Sequence, residues 1–396
     1  MARPRKFESI LRELALQYPA LTVTGPRQSG KTTLCRSVFP NHGYFNLEPL
    51  DQRDYARQDP RGLLAEYPDG LILDEIQHVP ELLGYIQEAV DRDDATGRYV
   101  ITGSQHFALS ESIGQSLAGR TAVLQLLPLS LEEYPGFGIA QDRLFEVLFA
   151  GAYPRIHDRG IAPSRWLADY VATYVERDVR QIANVSDLGA FSNFLRLCAA
   201  RTAQEVNLSA LGADAGISHN TARAWLSILE ASFLLTQSPS WHRNIRKQLV
   251  KRPKLHFLDS GLACHLLGIR SADELRHHPL RGAIFESWVA SEIVKHNTHR
   301  GNQPTLLHYR ESRGAEIDIL VQSGMDLIAC EVKSGATLHS DFMKHLTTFQ
   351  ARMDTLSPMP NLELRLVYGG DRGQRRSEVD CLGWQQIHDR DWGFRE

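Results

Sequence analysis

Eight consecutive residues, Gly25-Pro26-Arg27-Gln28-Ser29-Gly30-Lys31-Thr32, carry the chemistry of phosphate binding in this 396-residue chain. Gly25 and Gly30 let the backbone turn closely round an anion with its N–H groups pointing inward. Lys31 is a point charge for the β- and γ-phosphates, and the Thr32 hydroxyl is a ligand for Mg²⁺. The run matches G-x-x-x-x-G-K-[ST] in the required context, after the strand-like Leu21-Thr22-Val23-Thr24 and opening a helix over 31–38. The N-terminus of that helix adds roughly half a positive charge where phosphate would sit. With Thr33 in the same helical turn, residues 25–33 are the expected contact surface for ATP.

Two carboxylates complete the pattern. Leu71-Ile72-Leu73-Asp74-Glu75 is a buried apolar strand ending in acids, which places them at the carboxyl edge of a parallel sheet. Asp74 is expected to hold Mg²⁺ through water and Glu75 to polarise the attacking water. The next strand, Tyr99-Val100-Ile101-Thr102, leads into Gly103-Ser104-Gln105. Ser104 either contacts the γ-phosphate or lytic water, or simply closes a turn. Arg120 stands between a short helix and a strand, as an arginine finger or as one half of a surface ion pair. A finger acting in trans would require a homo-oligomer.

A second constellation lies near the C-terminus. Glu286 sits on a helix, Asp318 within the strand-like Glu316-Ile317-Asp318-Ile319-Leu320, and Cys330-Glu331-Val332-Lys333 ends the following strand. Glu331 and Lys333 are two apart and so share one face of a strand. Glu286, Asp318 and Glu331 supply oxygen ligands for Mg²⁺ or Mn²⁺, and Lys333 would stabilise an activated water or a pentavalent phosphate. The same residues would equally suit an inert ion network with Lys333 or Arg310. The pattern resembles the PD-(D/E)xK restriction-endonuclease-like fold, with Ile317 standing where that pattern has proline. The resemblance implies a metal-dependent nuclease, or a nuclease fold that no longer cuts.

Between the two sites, Leu208 to Ala222 reads as a short helix, a turn at Gly216 and a second helix, which suits a helix-turn-helix of winged type. Asn220 and Arg223 are its base-reading candidates. Arg243, Arg246, Lys247, Lys251, Arg252 and Lys254 follow without an intervening acid, as a DNA-facing wing or as a solvated face. Such a module can also pack on an ATPase core and never touch DNA.

The elements that must position these groups fall into three stretches. Residues 1–138 alternate strands (21–24, 44–47, 71–73, 99–102, 121–127) with helices, which predicts a parallel sheet covered on both faces. Residues 139–278 are expected to be helical, with the winged helix inside them. Residues 279–396 return to an α/β pattern. Gly25–Thr32, Leu73-Asp74-Glu75-Ile76-Gln77, Ile101-Thr102-Gly103-Ser104, Leu117-Ala118-Gly119-Arg120, Leu127-Pro128-Leu129-Ser130, Tyr174-Val175-Glu176-Arg177-Asp178-Val179 and Phe257-Leu258-Asp259-Ser260-Gly261-Leu262 together resemble a family of bacterial and archaeal predicted AAA-type ATPases with a C-terminal domain of unknown function. The resemblance covers nearly the whole chain and implies ATP binding and hydrolysis; it names no pathway.

Composition narrows the setting. A net charge of −3 gives no global pull toward nucleic acid, so any DNA contact must come from a local patch. Five scattered cysteines, an odd number without zinc spacing, argue against a disulfide framework. The basic N-terminus is followed by an amphipathic stretch, and no segment reaches membrane-spanning length. The cytoplasm is the expected location.

Overall fold

Short runs of aliphatic, aromatic and threonine side chains form the first sheet: β1 (Ala20–Thr24), β2 (Gly43–Asn46), β3 (Leu71–Asp74), β4 (Tyr99–Gly103) and β5 (Thr121–Gln125). The structure is a computed structural model and describes residues 3–93, 95–104, 116–179, 187–242, 252–303, 305–311, 315–356 and 359–393. All neighbouring strands of this sheet are parallel, in the order β2-β3-β4-β1-β5. Alternation along the strands sends Leu21, Val23, Ile72, Val100 and Leu124 to one face, against α1 (Glu8–Ala15) and α2 (Lys31–Val38). Ala20, Leu71, Leu73, Tyr99 and Ile101 pack on the other face against α3 (Leu50–Gln58), α4 (Pro60–Ala65) and α5 (Leu82–Arg92). Strands buried on both faces need near-continuous apolar sequence, and that is how these strands read.

The chain divides into two compact units: residues 1–128 with 231–233 and 298–301, and residues 129–230, 234–297 and 302–396. Most of the stretches 139–278 and 279–396 lie in the second unit. The long helix Arg281–Thr298 buries Ile284, Phe285, Trp288, Val289 and Ile293 in one core with Leu129, Leu131, Val147 and Leu148. Burial of each large side chain is worth about 1.5–3 kcal/mol, so such a shared core joins the middle and the C-terminal stretches into one body.

Within the second unit, β6 (Gln204–Glu205), β7 (Leu235–Ser238) and β8 (Lys254–Phe257) form a small antiparallel sheet in the order β6-β8-β7. The helices Leu188–Ala200, Leu208–Asp214 and His219–Ala231 precede its hairpin. The turn between the last two depends on Gly216 at φ 72°, and the Ser218 hydroxyl caps the following helix by accepting from Thr221 N–H at 3.1 Å. Asn220 and Arg223 are exposed, while Ala222, Trp225, Leu226 and Leu229 face the core. Of the basic run, residues 243–251 lie outside the described residues.

A second, six-stranded sheet has the order β13-β14-β12-β11-β10-β9. Its strands are β9 (Thr305–Arg310), β10 (Glu316–Ser323), β11 (Asp326–Lys333), β12 (Asn361–Tyr368), β13 (Gln374–Arg376) and β14 (Val379–Gly383). Strands β11, β12 and β14 run parallel and the rest antiparallel, so the sheet is mixed. The sequence reading anticipated β10 and β11 and missed β13 and β14. Among the described residues, no helix is long and apolar enough to cross a membrane.

Candidate functional site

At the carboxyl end of β1 the chain turns through Gly25 at φ 146° and Gly30 at φ 95°, with Gln28 also left-handed at φ 65°. A Cβ at Gly25 would stand 2.1 Å from the Leu126 carbonyl oxygen, so only glycine fits there. Arg5, itself buried, braces this loop by donating to the carbonyls of Ser29 (2.9 Å) and Leu127 (3.0 Å). No motif led to Arg5. The Lys31 ammonium donates to the carbonyls of Gly25 (2.8 Å) and Pro26 (2.9 Å), and it is buried. Burial pushes its pKa down, against the attraction of Glu75 and Asp74.

Strand order brings the acids alongside. Asp74 ends β3, next to β4, and accepts from the Thr32 hydroxyl and the Tyr44 hydroxyl, each at 2.8 Å, and from the Thr102 hydroxyl. Thr32 and Asp74, both expected at a Mg²⁺ ion, are therefore hydrogen-bonded to each other. Tyr44 and Thr102 were missed in the sequence. Thr102 left only the trace of a polar residue near the carboxyl end of a strand that turns out to neighbour Asp74, and Tyr44, near the amino end of β2, left none. Burial and the bond to Asp74 push the Tyr44 phenol pKa up.

Glu75 is held in the left-handed region at φ 58°, a conformation that costs a non-glycine residue of order 1–3 kcal/mol. There its carboxylate accepts from the Gln77 amide and from the Ser104 hydroxyl at 3.4 Å, and Gln77 Nε2 also lies 3.3 Å from Ser104 Oγ. Strain of this kind persists only where surrounding groups hold it, and here Gln77 and Ser104 do so. Gln77 is a further residue that the sequence reading left unassigned.

The loop passes a physical test of fit for a nucleotide. The Ser29 hydroxyl is fully buried without a hydrogen-bond partner, and the first-turn amides of α2, including those of Thr32 and Thr33, have no partner inside the helix. Arg120 is not brought to this site. Its carbonyl accepts from Ala20 N–H at the amino end of β1, the opposite edge of the sheet from the loop. Its guanidinium is paired with Asp91, Nε to Oδ1 at 2.5 Å. The strand between the two edges thus removes Arg120 from its own chain's phosphates, and within one chain the surface ion pair is what the geometry provides.

The second constellation does assemble. Asp318 Oδ2 lies 3.5 Å from Lys333 Nζ and accepts from Val332 N–H at 2.9 Å, while Lys333 Nζ is 2.7 Å from Glu331 Oε2. The pairing of β10 with β9 has a register shift between Ile317 and Leu320, the stretch that contains Asp318. What the sequence did not anticipate is Lys254. Counted there with the basic wing, it is only 3% exposed and lies 3.1 Å from Glu286, 3.3 Å from Glu316 and 3.7 Å from Asp318. As part of the central strand of the small sheet, Lys254 turns inward, and a DNA-facing role for it is excluded.

Four carboxylates here face two ammonium groups, an excess of negative charge. Burial first, then the charge of Asp318, pushes the Glu286 carboxyl well up and that of Glu331 to about 8, with Lys254 and Lys333 opposing in part. Both lysines are held above their ordinary range because these acids outweigh the burial penalty. Such a cluster suits a divalent cation electrostatically, but Lys254 already fills part of the space between Glu286 and Asp318.

Comparison with known proteins agrees with the first site. Residues 17–135 match the family model described as an AAA domain. Residues 141–273 and 281–387 each match a model described as a domain of unknown function. A protein of Mycobacterium tuberculosis, described as uncharacterized, is 29% identical over 332 residues, covering 83% of this chain and 73% of its own. One of Haemophilus influenzae, likewise described, is 25% identical and covers 63% of this chain and 70% of its own. Among solved structures, a Walker-type ATPase of Pyrococcus abyssi covers 67% of this chain and 99% of its own at 15% identity, with a TM-score of 0.44. At that score the likeness adds no argument of its own. The first unit therefore contains an AAA-type P-loop ATPase domain, defined by its sheet, its loop and its family match.

Proposed function

We propose that the protein binds ATP with Mg²⁺ and hydrolyses it, and that this activity serves a second unit that acts on or associates with DNA. The observation that carries the ATPase reading is the juxtaposition of Thr32 with Asp74 and of Glu75 with Ser104 and Gln77 at one sheet edge. In this reading the loop amides and Lys31 hold the phosphates, Lys31 leaving its two carbonyls to do so. Thr32 and Asp74 would hold Mg²⁺, which neutralises charge on the phosphates. Glu75 orients the attacking water and Ser104 keeps that carboxylate in place. Steady-state ATP turnover tests this: Lys31→Ala is expected to abolish it, and normal turnover in that variant would overturn the assignment.

For the second unit, the sequence of helix, short strand, two helices and hairpin supports a winged-helix reading, with Asn220 and Arg223 on its exposed side. Asp318, Glu331 and Lys333 support a nuclease-like site in which Glu286 is a further metal ligand. One observation favours a second reading: the Lys254 ammonium stands among Glu286, Glu316 and Asp318, as it would in a nuclease fold that binds DNA or protein without cutting. Cleavage of DNA with Mn²⁺ or Mg²⁺, with and without ATP and beside Lys333→Ala, separates the two. Cleavage that Lys333→Ala abolishes supports the nuclease, and no cleavage under any condition supports the inert fold.

A further inference from the structure

Two histidines outside both sites meet in the second unit with their ring nitrogens facing. His296, 4% exposed, is on the helix Arg281–Thr298, and His388 is on the 3₁₀ helix Trp384–Asp389 with its side chain 6% exposed. The rings lie within 9° of parallel and their Nδ1 atoms are 3.2 Å apart. Glu132, from the 3₁₀ helix Leu131–Phe137, brings Oε2 to 4.0 Å from His388 Nδ1. The three donor atoms all lie within 4.8 Å of one another.

The remaining ring nitrogens decide what the facing ones are. His388 Nε2 is 2.8 Å from Glu292 Oε2, and His296 Nε2 is 3.0 Å from Asp391 Oδ1. A carboxylate only accepts, so each Nε2 donates to its carboxylate and each ring turns its Nδ1 toward the other. The two Nδ1 atoms are hydrogen-bonded to each other beside the Glu132 carboxylate, and a metal ion would take the place of the proton they share. Two nitrogens bound tetrahedrally at the roughly 2.0–2.1 Å typical of zinc stand about 3.3 Å apart, close to what is seen here.

The surroundings are those of a built site. Glu292 is fully buried and accepts from Leu131 N–H and from Lys295 Nζ, each at 2.8 Å, besides holding His388. Burial opposes its charge, yet Lys295 and His388 outweigh that and hold its carboxyl at about 2, so it stays an acceptor. A carboxylate on the far nitrogen of a histidine is the usual way to orient a metal ligand.

We propose that Glu132, His296 and His388 form a binding site for a divalent transition metal of the zinc class, with both Nδ1 atoms and the Glu132 carboxylate as ligands. Imidazole ligation selects such an ion over the Mg²⁺ expected at the ATP site. The bound ion fastens three segments distant in sequence, Leu131–Phe137, Arg281–Thr298 and Trp384–Asp389, to one another.

The test uses the full chain, stripped with a chelator and titrated with zinc in competition with a chromophoric chelator in excess Mg²⁺. One zinc per chain is expected, bound at least tenfold more weakly by His388→Gln and by Glu132→Gln. Glu132 is partly exposed, so its variant should fold normally by circular dichroism. X-ray absorption of the zinc-loaded wild type should show two imidazole ligands. Zinc binding unchanged in both variants, zinc bound without imidazole, or no stoichiometric binding would overturn the proposal.

Discussion

The phosphate-binding loop of the first unit and the acid–lysine cluster of the second both manage concentrated charge, but they are assembled in opposite ways. The loop is one contiguous run whose working atoms are mostly backbone amides, set by Gly25 and Gly30 and supported by the acids at the end of β3, one strand removed from β1. The cluster is made wholly of side chains gathered from β8, β10, β11 and the helix Arg281–Thr298. Backbone dipoles keep their charge whatever the pH or mutation. Buried ionisable side chains hold theirs only while each has its partner. The first site should therefore fail in function without losing stability, and the second should do the reverse.

The largest expected effect is at Glu75. Glu75→Gln should retain ATP while turnover falls by roughly 10²–10⁴, the range of a positioned general base, with the melting temperature nearly unchanged. Nucleotide binding by fluorescence and phosphate release measure the two halves. Normal hydrolysis would remove Glu75 from its role.

Lys254→Met should do the opposite. Removing one partner of a buried ion cluster typically costs about 3–5 kcal/mol, because Glu286 then lacks its paired cation and Asp318 keeps only Lys333. All six tryptophans, Trp166, Trp225, Trp241, Trp288, Trp384 and Trp392, belong to the second unit, so denaturant unfolding followed by tryptophan fluorescence isolates it. ATP turnover should be unaffected. An unchanged unfolding midpoint would show that the carboxyls simply take up protons when Lys254 is absent.

A smaller effect distinguishes the units by pH. His256 is buried between Ser238 and Ser287, and burial first, then the charges of Lys254 and His308, pushes its pKa from 6.5 to about 3. Between those values the unfolded chain binds a proton that the native chain does not, so stability rises with pH across that window. The second unit should lose stability as pH falls from 6.5 toward 3. His256→Gln should flatten that acid limb, and an identical limb in the variant would assign it to other groups.

The smallest effect is at Arg120. Paired with Asp91 at the far edge of the sheet, it should leave turnover per site unchanged in dilute protein when replaced by alanine. A large loss of turnover in dilute protein would contradict that placement.

The sequence by itself determined the parallel sheet of the first unit and the loop and acids at its carboxyl edge. Gly25–Thr32 is a local pattern, and strands buried on both faces betray themselves by continuous apolar runs, so Asp74 and Glu75 could be placed at the sheet edge before any coordinates. Asp318, Glu331 and Lys333 were legible for the same reason, since two adjacent strands with period two put them on one face. Only the tertiary structure decided the rest. Tyr44, Thr102, Gln77 and Arg5 join the loop through strand order and long-range hydrogen bonds that leave no local pattern. Lys254 read as one more basic residue in a wing until β8 was seen at the centre of its sheet, facing three acids. His296 and His388 are separated by the whole of the six-stranded sheet in sequence. A ligand set that depends on where three helices end in space is a property of packing, which periodicity and motif cannot report.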